Sequence, residues 1–425
     1  MNTRNLQQWL SYLEQLHPNE IDMGLARVQS VAQRLDLPRI AQKIVTVTGT
    51  NGKGSTCALL ASLAMGQGLS VGVYSSPHLL RYNERVRING LEATDAQLCE
   101  AFSRVEEARG EISLTYFEMG TLAAFYLFAQ SELDLAVLEV GLGGRLDAVN
   151  IVDADIAVVT SIGVDHQDWL GDTRDSVAYE KSGIFRSERP AVCGDLDPPE
   201  QLLTQAALLN TPLLLRGRDF DLALGEQSWY WRGLDSQGQP LQLQDIPLLS
   251  LPIENAAVAL QAYALLSLPW QAQTILDSLC SASIAGRLQE LSLQWQGRNL
   301  HLLLDVAHNP HAADYLANRL AAQPIRGRRL AVLGMLDDKD VSGVLNCMHA
   351  LMADWAVAEL PSARSCRVEY LQAKLEEKAL PVRRFLSIAD AIEAQCEQAT
   401  EDDQIVIFGS FFTVAEALLW LQGQD

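Results

Sequence analysis

"KIVTVTGTNGKGSTC", residues 43–57, is the stretch on which the fold turns. A β-branched run, Ile44 to Thr48, stops at Gly49, a glycine-rich turn containing Lys53 follows, and Gly54 to Gly68 then carries Leu59, Leu60, Leu63 and Ala64 at helical spacing. Strand, glycine turn and helix N-terminus in this order let backbone N–H groups and the helix dipole receive a phosphate. The usual pattern of Gly, four residues, Gly-Lys and a hydroxyl residue is not met. Val47 stands at the first glycine, and Gly54 follows Lys53, so the hydroxyl arrives one step late at Ser55. The alternative is a glycine turn capped by Ser55.

Outward from this loop, strand-like runs at Val71 to Ser75, Leu135 to Val140 and Ile156 to Thr160 alternate with helical patterns. That alternation predicts parallel βαβ units with helices on both sheet faces. From Leu222 to Leu251 short polar and aromatic runs with turn signals such as "DSQGQP" predict a β-rich excursion. "IENAAVALQAYALL" (residues 253–266) reads as a helix, a second helix follows, and Gly286 breaks "SIAGRLQE" (283–290). Runs at His301 to Val306, Arg329 to Gly334, Trp355 to Ala358 and Gln404 to Gly409 predict a second α/β domain beginning near residue 286. Two domains also suit 425 residues, given about 100 to 200 residues per domain.

The net charge of -21 opposes binding to nucleic acid or an anionic membrane, and a small anionic substrate would need locally gathered Lys and Arg. Leu6, Trp9, Leu10, Leu13 and Leu16 predict an amphipathic first helix rather than a signal peptide. No apolar run reaches the roughly 18 residues of a membrane span, and a cytoplasmic protein is expected. Seven scattered cysteines without C-x-x-C pairs indicate neither a disulfide framework nor a thiolate zinc site.

Chemistry-bearing residues gather where the expected strands end. "LEVGLGGRLDAVN" (138–150) places Glu139 before a glycine-rich loop, and "VVTSIGVDHQDWLG" (158–171) places Asp165 and His166 after a strand. Carboxyl ends of parallel strands are where α/β sheets bind ligands. Beside a phosphate loop these groups make a candidate Mg²⁺ site, because that ion takes few protein ligands and completes its shell with phosphate and water. Loop polarity and helix capping are the alternatives. "YSSPHLLRYNERVRING" (74–90) adds Ser75, Ser76, His78, Arg81, Arg85 and Arg87, either an anion-receiving cluster or a surface salt-bridge patch. "LLLDVAHNPHAA" (302–313) and "IVIFGSFFTVAEAL" (405–418) repeat the strand, loop and helix order, with Asp305, His308, Asn309 and Ser410 as ligands or caps.

Read in order, "GTNGKGS", "SSPHL", "TYFE", "LEVGLGGRLDA", "TSIGVDHQDWLG", "EKSGIFR", "AGR", "DVAHNP" and "FGSFFTV" resemble the motifs of folylpolyglutamate synthases, a branch of the Mur ligase superfamily. The resemblance covers nearly the whole chain. It implies a P-loop-type, mostly parallel α/β ATPase domain that also binds the pterin (1–285), and a smaller Rossmann-like α/β glutamate-ligase domain (286–425). The implied reaction is ATP-dependent: a pteroate or folate carboxylate becomes an acyl phosphate, and the amine of L-glutamate displaces phosphate. Substrates would be 7,8-dihydropteroate and reduced folates, with ATP and Mg²⁺ as cofactors, K⁺ a further candidate ion, and the protein a monomer.

By motif, Thr50, Asn51, Gly52, Lys53, Gly54 and Ser55 would hold the phosphates, and Ser76, Glu139 and His166 the metal. Lys181 matches a lysine that is carbamylated in the family. Asn255, Arg287 and Asp305 match nucleotide positions, and His308 and Ser410 glutamate contacts. Asp22, Arg27, Thr115, Tyr116, Phe117, Glu118 and Leu146 would line the pterin site. Lys53, His166, Lys181 and His308 are the expected catalytic groups. Ala285 departs from the Pro expected before Gly286-Arg287. The alternatives are a folylpolyglutamate synthase lacking the dihydrofolate synthase activity, a peptidoglycan Mur ligase, and a nucleotide-binding switch. Gly54 instead of Thr after Lys53 opposes the muramyl reading, and Asp305 to Pro310 would be superfluous in a switch.

Overall fold

Lys43–Thr48 is a strand buried along its whole length after Lys43, as expected of a central strand covered on both faces. The computed structural model describes residues 4–225 and 227–424. The chain divides into two compact units, Met1–Ser283 and Ile284–Asp425.

The strands of the first unit's main sheet are, in chain order, β1 (Lys43–Thr48), β2 (Val71–Tyr74), β3 (Val86–Ile88), β4 (Leu91–Glu92), β5 (Leu135–Glu139), β6 (Ile156–Val159), β7 (Ala191–Cys193) and β8 (Leu213–Leu215). They are arranged as β4-β3-β2-β5-β1-β6-β7-β8. All neighbours run parallel except the antiparallel β2–β3 and β3–β4 pairs. β1 therefore sits between β5 and β6, with Val47 opposite Glu139 and Thr48 opposite Val159. This order is what brings the loop after β1, the carboxylate ending β5 and the loop after β6 to one edge of the sheet.

Local sequence explains the covering helices. Asp95–Arg109 starts at a Thr94 cap with a Gln97 return bond and buries Leu98, Ala101, Phe102 and Val105, one stripe at helical spacing. Tyr116–Ala129, capped by Thr115 and Glu118, is buried on nearly every face. So is Lys53–Gly66, which hides Cys57, Leu59, Leu60, Leu63 and Ala64. Trp9, Phe102, Phe125, Phe128 and Leu138 belong to one core, and each such side chain contributes about 1.5 to 3 kcal/mol by burial.

The expected excursion is an antiparallel three-stranded sheet of β9 (Asp221–Leu224), β10 (Ser228–Leu234) and β11 (Pro240–Pro247), with β10 in the middle. Trp231 of β10 donates its indole N–H to Ala257 O at 3.2 Å, which ties the sheet to the helix Ile253–Leu265.

The second unit holds β12 (Gln289–Trp295), β13 (Arg298–Asp305), β14 (Arg329–Leu333), β15 (Asp354–Ala358), β16 (Val382–Phe385) and β17 (Gln404–Phe408), ordered β12-β13-β17-β14-β15-β16. Only β12 runs antiparallel, paired to β13. Gln296 and Gly297, both with positive φ (48° and 81°), form the two-residue turn between them, the geometry a right-twisted hairpin favours. The stretch at 283–290 contains a break at Gly286, where φ is 71°. The predicted strands agree with the observed ones to within one residue at most ends, whereas β3, β4, β7, β8, β12 and β16 have no counterpart in the sequence reading. Among the described residues no helix is long and apolar enough to cross a membrane.

Candidate active site

The loop between β1 and its helix is held from both sides. Gly49 has a φ of 152°, and a Cβ there would stand 1.8 Å from Thr160 Oγ1. Thr50 and Gly163 bond reciprocally: the Thr50 hydroxyl donates to Gly163 O at 2.8 Å and accepts Gly163 N–H at 2.9 Å. The Thr160 hydroxyl donates to Asn51 O at 2.6 Å, and Asn51 N–H donates to Ser161 Oγ at 3.1 Å. Gly52 begins the helix at φ 86°, and its missing Cβ leaves room for Asn255 Oδ1, which would lie 2.5 Å away. Asn255 thus meets the loop within the first unit, from the helix that follows the three-stranded sheet. Lys53 Nζ donates to Gly49 O at 2.8 Å. Ser55 is buried in the first turn.

Around the loop stand groups shifted by burial. Lys181, 3% exposed on the helix Arg174–Ser182, has its amine pushed down to about 7 by desolvation and then by the Lys53 charge, with Asp165 opposing. Asp147, which the sequence reading did not single out, is pushed up to about 7 by burial. It accepts Leu142 N–H at 2.9 Å and Val149 N–H at 3.0 Å, and the Lys53 charge acts against its shift. Its sequence signal is only its place at the end of the glycine-rich run "GLGGRLD" (141–147).

Glu139, 5% exposed at the end of β5, accepts Ser76 N–H at 3.1 Å. His166 is exposed, has a φ of 51°, and starts the short helix Gln167–Leu170. Asp165 accepts the N–H of His166 at 2.9 Å rather than capping that helix. Among the described residues no three His, Cys, Asp or Glu side chains gather closely enough to hold a metal alone. A hydroxyl, one buried carboxylate and an imidazole instead suit an ion that shares its shell with phosphate oxygens.

A second group of expected residues lies around the start of Tyr116–Ala129. Phe117 covers Gly141, where a Cβ would be 2.7 Å from its ring. Tyr116 and Tyr82 meet edge-on at 5.7 Å, and the Arg85 guanidinium lies 5.5 Å and 5.3 Å from their centroids. Arg85 Nε donates to His78 Nδ1 at 2.8 Å, and burial with the Arg85 charge pushes that imidazole down to about 4. Asp22, Arg27 and Glu118 are joined by ion pairs of 2.7 and 3.2 Å, and Leu146 is half-buried in the glycine-rich loop.

In the second unit Asp305 ends β13, accepting Leu288 N–H at 2.9 Å and Ala307 N–H at 2.8 Å. Burial raises its carboxyl while the Arg287 charge lowers it. Arg287 and His308 both lie on the Phe411 ring, 5.5 and 6.1 Å from its centroid. Asn309 caps its helix through Ala312 N–H at 2.9 Å. Ser410 also caps, accepting Thr413 N–H at 3.0 Å, and its hydroxyl is 2.8 Å from Thr413 Oγ1.

Residues 47–207 match the Mur ligase middle domain, and residues 286–411 match the Mur ligase glutamate ligase domain. The chain is 46% identical to the dihydrofolate synthase/folylpolyglutamate synthase of Escherichia coli (strain K12), across 97% of this chain and 94% of that protein. Its counterpart of the same name in Haemophilus influenzae is 41% identical across 97% of both. Among solved structures, E. coli FolC in complex with DHPP and ADP superposes with a TM-score of 0.93 at 45% identity, covering 99% of this chain and 98% of that one. A bifunctional folylpolyglutamate synthase/dihydrofolate synthase with Mn, AMPPNP and L-glutamate bound gives 0.91 at 45% identity, with the same coverage of 99% and 98%.

Proposed function

The chain belongs to the Mur ligase family, in its dihydrofolate synthase/folylpolyglutamate synthase branch, and from that premise we propose how its residues carry out ATP-dependent glutamate ligation. The substrates are 7,8-dihydropteroate, which gives dihydrofolate, and reduced folates, which give polyglutamates. A carboxylate oxygen attacks the γ-phosphorus of ATP, ADP leaves, and the acyl phosphate is then attacked by the amine of L-glutamate, with loss of phosphate and a proton.

The observation that carries this reading is the Lys53 loop fixed beside the end of β5, with Glu139 and two burial-shifted groups around it. Backbone N–H groups from Gly52 to Ser55, at a helix start, would cradle phosphate, with Thr50 and Asn51 holding the loop's shape. Lys53, now on the Gly49 carbonyl, would turn to the transferring phosphoryl group and stabilise its developing charge. Ser76, Glu139 and His166 would hold a divalent cation, which neutralises phosphate charge when bound. Asn255, Arg287 and Asp305 are assigned to the nucleotide, and His308 to glutamate. The Ser410 hydroxyl already caps its own helix, which makes it the weaker glutamate candidate.

Lys181 is assigned as a carbamylation site. At about 7 a large fraction of its amine is neutral near neutral pH. Addition of the neutral amine to CO₂ would form the N–C bond, release one proton and leave an anion where the protonated amine would repel Lys53. K⁺ finds no particular support in the geometry. The same reading has the protein act as a cytoplasmic monomer without nucleic acid. Seven free thiols suit a reducing compartment, and light scattering near 46.7 kDa would check the monomer.

The test is a side-by-side assay with ATP, Mg²⁺, L-glutamate and either 7,8-dihydropteroate or tetrahydrofolate, reading phosphate release and product mass. Glutamylated product from both substrates is expected. Product from tetrahydrofolate alone would leave only the polyglutamate activity, and no phosphate release with either would overturn the proposal.

A further inference from the structure

The segment between the first two helices is fastened to the start of Tyr116–Ala129 through one guanidinium. Arg27 Nη1 donates to Asp22 Oδ2 at 2.7 Å, and its Nη2 donates to the Asp22 carbonyl at 2.8 Å and to Glu118 Oε1 at 3.2 Å. Asp22 Oδ2 also lies 3.4 Å from His17 Nε2. Glu118 is 4% exposed, and its other oxygen accepts Thr115 N–H at 2.8 Å while its own N–H donates to the Thr115 hydroxyl at 3.2 Å. Both carboxylate oxygens of Glu118 and both terminal nitrogens of Arg27 are therefore engaged within the protein. Arg27 Nε is buried without a protein partner, while the side chain as a whole keeps 29% of its exposure, so these charge-assisted bonds are made at a partly covered position.

The fastened segment reaches the glycine-rich loop: a Cβ on Gly143 would stand 3.7 Å from Met23 Cε, as one on Gly141 would meet Phe117. Asp22, Met23, Phe117 and the glycine loop thus form adjoining walls, and Arg27 spans two of them.

We infer that Arg27 is a positioning residue, holding the 18–25 segment against the helix start so that the pterin pocket has fixed walls, without itself touching the pterin. This rests on the proposed pteroate and folate substrates for the pocket's occupant, but the brace itself does not.

The experiment combines kinetics with amide hydrogen exchange on the whole protein. Arg27→Ala should raise KM for dihydropteroate roughly tenfold or more, with kcat within about threefold and KM for ATP and glutamate unchanged. Arg27→Lys should recover part of the loss. Glu118→Gln should show the same pattern, and the double variant should be little worse than either single one, because both remove one brace. Arg34→Ala, which loses bonds to the Ala108 and Arg109 carbonyls on the same helix, should leave the pteroate KM unchanged. In Arg27→Ala, amides 19–25 and that of Thr115 should exchange roughly tenfold faster. Unaltered exchange there overturns the inference. So does an unaltered pteroate KM, or a raised KM in Arg27→Ala beside wild-type behaviour in Glu118→Gln, which would mean that Arg27 binds substrate directly. If the wild-type protein makes no glutamylated product, the functional reading fails, while the exchange measurement still decides the brace.

Discussion

Replacing Lys181 by Met should change how the protein's stability depends on pH. Met is unbranched and of similar reach, so it fills the site without a charge. In the folded chain burial and the Lys53 charge hold the Lys181 amine at about 7, against 10.5 in the open chain. A difference of that size corresponds to roughly 5 kcal/mol between the two protonation states. The sign follows from proton counting. Between about 7 and 10.5 the unfolded chain binds a proton that the folded chain does not, so wild-type stability rises with pH across that window. Below it the folded amine is charged, the full cost of burying the ammonium is present, and the slope vanishes. Asp147 acts oppositely: with its carboxyl raised from 3.8 to about 7, it contributes stability at low pH that is lost as pH rises through its folded value. That contribution is common to both proteins and falls below the Lys181 window.

Urea unfolding of wild type and Lys181→Met in carbonate-free buffer at pH 7 and pH 9 should therefore show the variant more stable at pH 7. Its advantage should shrink by about 2 kcal/mol at pH 9. The second unit is identical in both proteins and drops out of the difference. Parallel pH dependences, agreeing within about 1 kcal/mol, would refute the desolvated amine and require that water or a permanent modification already solvates it.

Two further outcomes concern the loop. Lys53→Ala should lower phosphate release by about a thousandfold or more with an unchanged circular dichroism spectrum, since the ammonium acts on the transferring group; near wild-type turnover would remove it from the mechanism. Gly52→Ala forces a side chain into φ 86° with its Cβ 2.5 Å from Asn255 Oδ1. Calorimetry should find the first unit about 2 kcal/mol less stable, and the ATP KM should rise by about tenfold or more; an unperturbed KM would mean that the Asn255 contact is incidental.

Sequence carried the central strands well because β1 and β6 are near-continuous β-branched runs, β5 is a short apolar run, and the segments between them read as helices. It missed Ala191–Cys193 and Leu213–Leu215 because three residues give no period to read. It missed β12 because that edge strand alternates with exposed polar residues. The loop's departure from the common phosphate pattern could be read directly, whereas its support from Thr160, Ser161 and Gly163 could not, since these lie more than a hundred residues away. Asp147 escaped because only the folded loop brings it within reach of Lys53. Arg27 shows a different limit: a motif can mark a residue for a site, but only the bonds it makes distinguish bracing a wall from touching what the wall encloses.

The contact between Asn255 and Gly52 bears on where this protein can be cut. The Mur ligase middle domain match stops at residue 207, and a minimal fragment would naturally be drawn there. Lys53–Gly66, however, has no polar face of its own: Cys57, Leu59, Leu60, Leu63 and Ala64 are all buried. Part of that cover comes from beyond 207, where Ser62 bonds the Ser278 carbonyl at 2.7 Å and a Cβ on Gly66 would meet the Ser278 hydroxyl at 2.0 Å. A fragment ending at 207 would present an apolar helix to water immediately behind its phosphate loop, an aggregation liability. The smallest transplantable phosphate-loop module in this chain is therefore the whole stretch to about Ser283, three-stranded excursion included.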